Sequence, residues 1–376
     1  MIIKKVDIWR LKLPFRYPFK HKLATHVGSE NLVVRVTADN GIAGYGEGIP
    51  RTFVTGESMP ETFTFLTQTL GPKLLQASFA APAELAEAVA LMQSDTGSEE
   101  HPAAFCAAET ALFDAAGQYW GKSLSELIGG ATRKGVCYSA VVPLGSPEQL
   151  PRFFKMVKAK GMRFLKLKVG EAHDLEVLEM ARKELGWLID IRVDANGAWT
   201  APEAVARVHE MLPYGIRAVE QPVPKDDVEG LGYVSRALEI PVIADESLCS
   251  EADARKLIAS KACDMFNIRL AKCGGLIAAL KIRDLAQEAG IACMLGCHVG
   301  ETSILAAAGR HFALCSPRLV YVEGSFAPYL LAEDPVEPPV EFNHEGFGPI
   351  LPGPGLGIKV KAETLAELAV SHVRLA

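Results

Sequence analysis

The chain of 376 residues lacks an excess of positive charge, because 45 aspartates and glutamates outnumber its 39 lysines and arginines and the net charge is −6. Binding a nucleic-acid backbone needs clustered Lys and Arg, so this balance argues against a nucleic-acid partner. The chain also lacks any run of about 18 apolar residues, which argues against a membrane-spanning helix. Its N-terminus alternates apolar and charged residues instead of carrying the apolar stretch of a signal peptide. We therefore expect a cytoplasmic protein.

Two motifs with known chemistry are missing as well. None of the eight cysteines forms a CxxC pair, and most lie in apolar stretches, which is typical of buried thiols in a reducing cytosol. No GxGxxG loop follows the first strand of the strand–helix alternation described below, which argues against a dinucleotide-binding fold. The hydrophobic content of 49% is ordinary for a globular protein with a sizeable core.

The N-terminal third of the chain combines strand and helix patterns. Alternating apolar residues predict strands over residues 6–13, 31–38 and 43–47. Apolar residues at helical spacing predict helices over residues 63–75, 83–92 and 103–119. We interpret residues 1–130 as an α+β domain.

The pattern changes at residue 131, where short apolar runs begin to alternate with helical stretches. Eight strands are predicted, over residues 136–142, 164–169, 189–193, 218–219, 242–244, 265–270, 292–297 and 319–322. Regular alternation of this kind predicts a parallel sheet, and eight strands suit a closed α/β barrel over residues 131–345. The tail, 346–376, leaves the alternation, and we expect it to return to the first domain.

Polar residues follow the predicted strands, at the end of the barrel where active sites lie. They recur at steps of 25 to 27 residues from Lys168 onward, which would put them at one height in the barrel: Lys168, Asp194, Glu220, Asp245, Lys272, His298 and Glu323. Three consecutive acids in this ring, Asp194, Glu220 and Asp245, would repel one another without a cation. Oxygen ligands of this kind suit one Mg²⁺ ion, with Mn²⁺ as a substitute. The alternative is that the acids form ion pairs with neighbouring Lys or Arg.

Three lysines complete the predicted site. Lys166 and Lys168 are two residues apart on one strand, so both point into the barrel, and each is expected to lower the pKa of the other. Lys272 follows a strand four positions further around the ring, opposite Lys168. This arrangement suits a substrate held on a metal ion with a base on each face.

These motifs resemble the enolase superfamily, and within it the muconate-lactonizing subgroup, which has lysines on strands two and six. The resemblance rests on Lys166-Leu-Lys168, Val193-Asp-Ala-Asn196, Val219-Glu-Gln-Pro222, Ala244-Asp-Glu-Ser247 and Lys272-Cys-Gly-Gly275. It extends to Gly44-Tyr-Gly-Glu47 and to Glu109 and Asp114, and so covers nearly the whole chain. It implies a modified (β/α)7β TIM barrel under an α+β capping domain built from both termini.

The resemblance also implies chemistry: Mg²⁺ binds the carboxylate of a small substrate and stabilises the enediolate formed when a base removes the α-proton. Carried over by residue, Asp194, Glu220 and Asp245 hold the metal, and Lys168 and Lys272 are the acid/base pair. Lys166 helps to hold the carboxylate. Asn196 and Glu246 support the ligands. Relatives usually form homo-oligomers.

The sequence departs from its relatives after strands seven and eight. Dipeptide epimerases carry an Asp-x-Asp after strand eight to hold the substrate ammonium, whereas this chain has a single acid, Glu323. His298 stands where another subgroup has its base, but that subgroup pairs it with an Asp where this chain has Lys272. We predict that His298 and Glu323 contact the substrate.

Substrate choice is expected to depend on two capping loops, near residues 15–30 and 48–57. Phe19 and Phe53 could close over an apolar part of the substrate. His21, His26 and Arg51 could meet a second polar or anionic group.

The predicted activity is that of an isomerase acting on a small carboxylate, as a racemase, an epimerase or a cycloisomerase. The alternative is a dehydratase or a succinylbenzoate-synthase-like lyase that uses the same enediolate. A barrel that only binds a metal or ligand, and an unrelated metal-dependent aldolase, are more remote alternatives.

Overall fold

The computed structural model describes residues 1–75, 77–145 and 148–376. The chain begins with an antiparallel sheet of β1 (Ile3–His21), β2 (Ala24–Ala38) and β3 (Ala43–Gly48). Five helices follow: α1 (Met59–Phe65), α2 (Gly71–Leu75), α3 (Leu85–Thr96), α4 (Pro102–Trp120) and α5 (Leu124–Leu127). A π-helical turn, Leu66–Leu70, joins α1 to α2, and 3₁₀ turns lie at Pro82–Glu84 and Ser98–Glu100.

The barrel supplies the second layer. Two short strands, β4 (Gly135–Cys137) and β5 (Ala140–Val142), come first. The strands that follow are β6 (Phe164–Lys168), β7 (Asp190–Asp194), β8 (Ile216–Glu220), β9 (Val242–Ala244), β10 (Met265–Ile268), β11 (Ala292–Leu295) and β12 (Leu319–Val322). Strands β5 to β12 form one parallel sheet of eight strands in sequence order. The Ser139 N–H donates to the Val322 carbonyl at 2.8 Å, which joins its last strand to its first. The fold class expected from the sequence, a TIM-like barrel with an α+β cap, is confirmed.

Helices lie between the barrel strands: α6 (Pro151–Ala159), α7 (Asp174–Leu185), α8 (Ala201–Met211), α9 (Val228–Ala237), α10 (Glu251–Ala259), α11 (Leu270–Cys273), α12 (Leu276–Glu288) and α13 (Ser303–Leu314). The chain ends with α14 (Ala327–Leu330), β13 (Phe347–Pro349), α15 (Ala362–Leu368) and β14 (Ala369–Leu375), with 3₁₀ turns at Leu212–Tyr214 and His344–Gly346. Strand β14 pairs with β1, so the tail reaches the N-terminal sheet as expected. The domain boundaries at residues 130 and 345 stay predictions. Within the described residues, no helix combines the length and apolar composition that crossing a membrane requires.

Two predicted elements differ from the structure. The predicted strand 136–142 is two strands, because β4 pairs antiparallel with β13 and only β5 joins the barrel. The predicted loop near 15–30 is instead a β-hairpin that extends from the sheet, with Phe19 opposite His26. Polar residues at its tip hide the alternation that would have predicted strands there.

Buried acids of the cap bind backbone groups of the barrel and the tail. Glu109 on α4 accepts the N–H groups of Leu276 and Ile277, at the start of α12. Asp114 accepts N–H groups from Tyr45 on β3 and from Leu356 in the tail. The Glu109 bonds fix α4 of the cap to the barrel, and the Asp114 bonds join β3 and the tail to α4.

Small residues let β3 approach α4 closely. A Cβ atom at Gly46 would lie 2.0 Å from the carbonyl oxygen of Ala107, so a larger residue there would push the strand off the helix. This contact accounts for the glycines around Glu47.

Candidate active site

Three carboxylates converge where neighbouring barrel strands end. Asp194 ends β7, Glu220 ends β8 and Asp245 follows β9, and all three are fully buried. One oxygen from each lies within 4.8 Å of the others. Below them, a small apolar cluster fills the barrel, with Ala218 and Ile243 two residues before Glu220 and Asp245 on the same strands. Side chains two apart point to the same side, so the apolar cluster supports the acids from beneath.

Each acid of this triad, Asp194, Glu220 and Asp245, is also paired with a lysine. The nearest nitrogen–oxygen distances are 2.5 Å for Lys168–Asp194, 3.0 Å for Lys166–Glu220 and 2.9 Å for Lys272–Asp245. Burial alone would raise the pKa of Asp194, but the attraction of Lys168 and Lys166 outweighs it and holds that pKa well below its usual range. The three acids therefore lie close enough together for the predicted cation site, and each also forms the ion pair with a lysine that was the predicted alternative.

The pKa of Lys166 differs from the sequence-based expectation, which was that the neighbouring lysine lowers it. Burial alone would lower the pKa of Lys166, but Glu220, Glu323 and Asp194 outweigh burial and raise it. Its Nζ lies 2.8 Å from an oxygen of Glu323. The prediction for Lys166 was wrong because four strands of the barrel each bring a charged group to this point, and the sequence spacing of the two lysines shows only one neighbour.

Lys168 is held by a short chain of polar side chains. Its Nζ donates to Asn196 Oδ1 at 2.9 Å, and Asn196 Nδ2 donates to Glu246 Oε1 at 2.9 Å. The second oxygen of Glu246 is buried without a hydrogen-bond partner among the described residues. Asn196 and Glu246 thus lie beside the triad, and they orient the amine of Lys168.

Lys272 lies at the other end of the triad, in the short helix α11. Its Nζ donates to the backbone oxygens of Asp245 and Asn267 at 2.5 and 2.9 Å, and it is fully buried. Burial lowers its pKa. Lys168 and Lys272 therefore contact opposite ends of the triad, and the prediction that they face each other across the barrel mouth stays a prediction. Lys168 lines the open pocket, whereas Lys272 lies behind Asp245.

The cap closes the pocket above the triad. Phe19, His21, Arg51 and Phe53 all line it. The His21 ring lies 5.5 Å from that of Phe53, and its Nε2 is 3.1 Å from His26 Nε2. Burial lowers the pKa of His21 to about 3 and that of His26 to about 4, so this pair is neutral at physiological pH.

Arg51 holds the cap to the barrel in this structure. Its Nη2 donates to Ser29 Oγ and to the Val299 carbonyl, both at 2.9 Å. The guanidinium predicted to meet a second anionic group is therefore already bound to β2 and to the loop after β11.

His298 and Glu323 have opposite environments. His298 is buried, and neither ring nitrogen has a hydrogen-bond partner among the described residues. Burial, with Arg269 beside it, keeps the pKa of His298 well below its usual value, so the ring is neutral. Glu323 lines the pocket, but its carboxylate already accepts from Lys166 and Arg192.

The sequence reasoning missed several residues at this site. Arg269 contacts Asp245 and lines the pocket, and Arg192 contacts Glu323. Side chains two residues apart on a strand point to the same side, and Arg192 lies two residues before Asp194, as Arg269 lies two residues after Asn267. This two-residue period could have identified both arginines from the sequence. Glu301 lines the pocket after β11, and loss of solvent around its carboxyl raises its pKa to about 8.

Known proteins resemble the chain over nearly its whole length. Residues 4–129 match the family model for the mandelate racemase / muconate lactonizing enzyme N-terminal domain, and residues 150–364 match the enolase C-terminal domain-like model. The L-Ala-D/L-Glu epimerase of Bacillus subtilis is 33% identical over 364 residues, which cover 95% of this chain and 97% of that protein.

Solved structures of two relatives share the fold. The N-succinyl Arg/Lys racemase of Bacillus cereus superposes with a TM-score of 0.91 at 30% identity, over 100% of both chains. The dipeptide epimerase of Cytophaga hutchinsonii, in complex with Mg and the dipeptide D-Ala-L-Val, superposes with a TM-score of 0.90 at 29% identity, again over 100% of both chains.

Proposed function

Because this chain belongs to the mandelate racemase/muconate lactonizing enzyme family of the enolase superfamily, we propose that it is a Mg²⁺-dependent isomerase that moves the α-proton of a small carboxylate, as a racemase or epimerase. The observation that carries the proposal is the contact of Lys168 with Asp194 and of Lys272 with Asp245, at opposite ends of the triad. A carbon held between two amines can lose a proton to one and gain a proton from the other.

The triad fits a divalent cation. Three carboxylates within 4.8 Å offer an all-oxygen set, which suits Mg²⁺. When bound by Asp194, Glu220 and Asp245, the ion would hold the substrate carboxylate and stabilise the negative charge that develops as the α-proton leaves.

The lysines would do the proton transfer. One of the two lysines, as a free amine, would take the α-proton on its face of the substrate, and the other, as an ammonium, would return a proton on the opposite face, which inverts the carbon. For this role Lys272 must turn from the backbone oxygens of Asp245 and Asn267 toward the pocket. Lys166 would help to hold the substrate carboxylate. We also propose substrate contacts for His298 and Glu323 and, from the cap, for Phe19, His21, Arg51 and Phe53.

Proton exchange in D₂O tests the proposal. The Mg²⁺-loaded protein is incubated with a panel of chiral carboxylates, and deuterium at the α-carbon is followed by NMR. A racemase incorporates deuterium into both enantiomers. Lys168→Ala and Lys272→Ala should each lower the rate about 10²- to 10⁴-fold, since a general base or acid contributes about that much. Lys183→Ala, an exposed lysine on α7, is the matched control. Full activity in both site variants on the true substrate would rule out the mechanism.

The same two lysines also suit the alternatives, which the products distinguish. A cycloisomerase forms a ring, whereas a dehydratase or succinylbenzoate-synthase-like lyase releases a keto or unsaturated acid. The imidazole of His298, which has no hydrogen-bond partner in the described part of the chain, favours elimination as the second candidate, because its N–H could bond to a leaving hydroxyl. A barrel that only binds ligands would bind Mg²⁺ without any exchange. Homo-oligomeric assembly is part of the proposal, and light scattering of the purified protein tests it.

A further inference from the structure

One wall of the pocket has no use in the proton transfer. It lies away from the triad, between the first and last strands of the barrel, where α6 and α14 face each other. Its side chains are apolar and mostly buried, and we call this wall the apolar chamber; its lining includes Phe153, Val157, Met162, Phe326, Leu330 and Phe342. The cap reaches it as well, because the ring of Tyr17 on β1 lies 5.5 Å from that of Phe153.

The acid nearest to the apolar chamber is already paired, and the nearest lysine lies over an aromatic ring. The nearest acid on the strand that leads into it is Glu323, which pairs with Lys166 at 2.8 Å and with Arg192. At the rim, Lys160 lies over the ring of Tyr329, with 5.2 Å between Nζ and the ring centroid. Among the described residues that line the apolar chamber, no carboxylate is left to receive an ammonium group.

The chemistry of this wall restricts what can lie against it. A charged group that enters an apolar site without a partner loses its hydration, which is costly. An apolar group gains from the same transfer, by about fourfold in binding for each methylene buried. A ligand fixed by its carboxylate at the triad end would extend its other end into the apolar chamber, because the pocket that the apolar chamber lines is also lined by Lys166 and Lys168, which contact the triad.

We infer that the substrate is a monocarboxylate whose end remote from the reacting carbon is uncharged and apolar, of the size of a benzene ring or a branched alkyl group. This inference rests on the proposed function for the position of the carboxylate. It separates the chain from relatives whose substrates are dipeptides, since a free N-terminal ammonium would meet no unpaired carboxylate among the described residues of the apolar chamber.

Four probes with the same reacting end test the inference: alanine acylated on nitrogen with an acetyl, benzoyl, succinyl or glycyl group. The acetyl probe is the short neutral reference, the benzoyl group is apolar, the succinyl group adds a negative charge, and the glycyl group adds a positive one. Binding to the Mg²⁺-loaded full chain is measured by calorimetry, and α-proton exchange by NMR in D₂O. We expect the benzoyl compound to bind at least tenfold more tightly than each of the other three and to exchange fastest.

The two measurements separate two kinds of failure. If the benzoyl compound binds most tightly and no probe exchanges, the proposed function fails on these probes and the inference stands. If the glycyl or succinyl compound binds as well as the benzoyl compound, or if none of the four binds, the inference is overturned.

A variant pair tests the apolar chamber directly. Met156→Asp places a carboxylate at its rim, on a side chain that is 45% exposed, so the fold should tolerate it. We expect about a tenfold loss of affinity for the benzoyl probe and a gain for the glycyl probe. Ala159→Asp adds the same charge on an exposed position of the same helix and is the control. Equal effects of the two substitutions would show that general charge, and not the apolar chamber, determines binding.

Discussion

Substitution of Glu47 is the strongest single test of how the cap is fixed to the barrel. Glu47 lies on β3 of the cap, one residue before the strand ends, and is fully buried. It accepts from the Thr302 hydroxyl at 2.6 Å and from the N–H groups of Thr302 and Leu305, both at 3.0 Å. Asn31 also donates to it, at 2.5 Å. The loop that Glu47 holds in this way, residues 298–302, carries four lining residues of the pocket, His298, Val299, Gly300 and Glu301.

The size of the effect of Glu47→Ala follows from these bonds. Three donors on Thr302 and Leu305 lose their acceptor, whereas Asn31 keeps a second one, the Gly300 carbonyl at 2.8 Å. Each unsatisfied buried donor costs about 1–3 kcal/mol, and water entering the vacated space would satisfy some of them. We expect a loss of about 3–5 kcal/mol in the free energy of unfolding. Glu47→Gln keeps one carbonyl acceptor and should lose about half as much.

Urea unfolding followed by circular dichroism measures the loss. Glu179→Ala, an exposed acid in the middle of α7, removes the same charge and should change the free energy of unfolding by less than about 0.5 kcal/mol. If Glu47→Ala stays within 1 kcal/mol of the unchanged protein, the hydrogen bonds of Glu47 do not hold the cap, and the reasoning fails.

Three further predictions concern the site and the pH dependence of stability. Mg²⁺ at about 100 times its dissociation constant should raise stability by about 2.7 kcal/mol in thermal unfolding, and Asp245→Asn should remove that increase. His298→Ala should raise KM about tenfold at an unchanged kcat, because its imidazole has no hydrogen-bond partner among the residues that the structure describes; a lower kcat at an unchanged KM would contradict this. Burial lowers the pKa of His311 to about 4. In the unfolded chain a histidine has a pKa of about 6.5, so between these two values the unfolded chain binds more protons than the folded one. The free energy of unfolding therefore falls as the pH falls through this range. His311→Gln should therefore reduce the stability difference between pH 7 and pH 5 by about 2 kcal/mol, and an unchanged difference would count against a neutral His311.

The sequence predicts the common height of the ring residues because barrel geometry repeats. One strand and one helix take about 26 residues here, so a constant step keeps successive residues at one height. The register confirms this for the first three positions, since Lys168 lies opposite Asp194, and Asp194 opposite Glu220. The motif residues Glu109 and Asp114 could be recognised but not explained from sequence, because their partners lie more than 160 residues away at Leu276 and Leu356.

Partner choice among buried charges is what the sequence does not predict. Glu323 lies at the expected place, directly after β12, yet it is bound by Lys166 and Arg192. The reason is that side chains from β6, β7 and the end of β12 meet at the centre of the barrel. Arg51 likewise donates from Nη2 to Ser29 and to a backbone carbonyl, which the sequence does not predict. Such choices depend on distances of about 3 Å between residues far apart in the chain, and spacing along one strand carries no information on them.

The charges at the barrel mouth are matched before any metal ion binds. Four acids, the triad and Glu323, are in ion-pair contact with five cations, Lys166, Lys168, Arg192, Arg269 and Lys272. A buried charge without a partner is strongly destabilising, so these cations allow the chain to fold with three carboxylates converging. A divalent ion on the triad would leave an excess of positive charge, which a substrate carboxylate would reduce. The charged end of the pocket therefore selects for an anion of any shape, and discrimination between carboxylates falls to the neutral side chains around it.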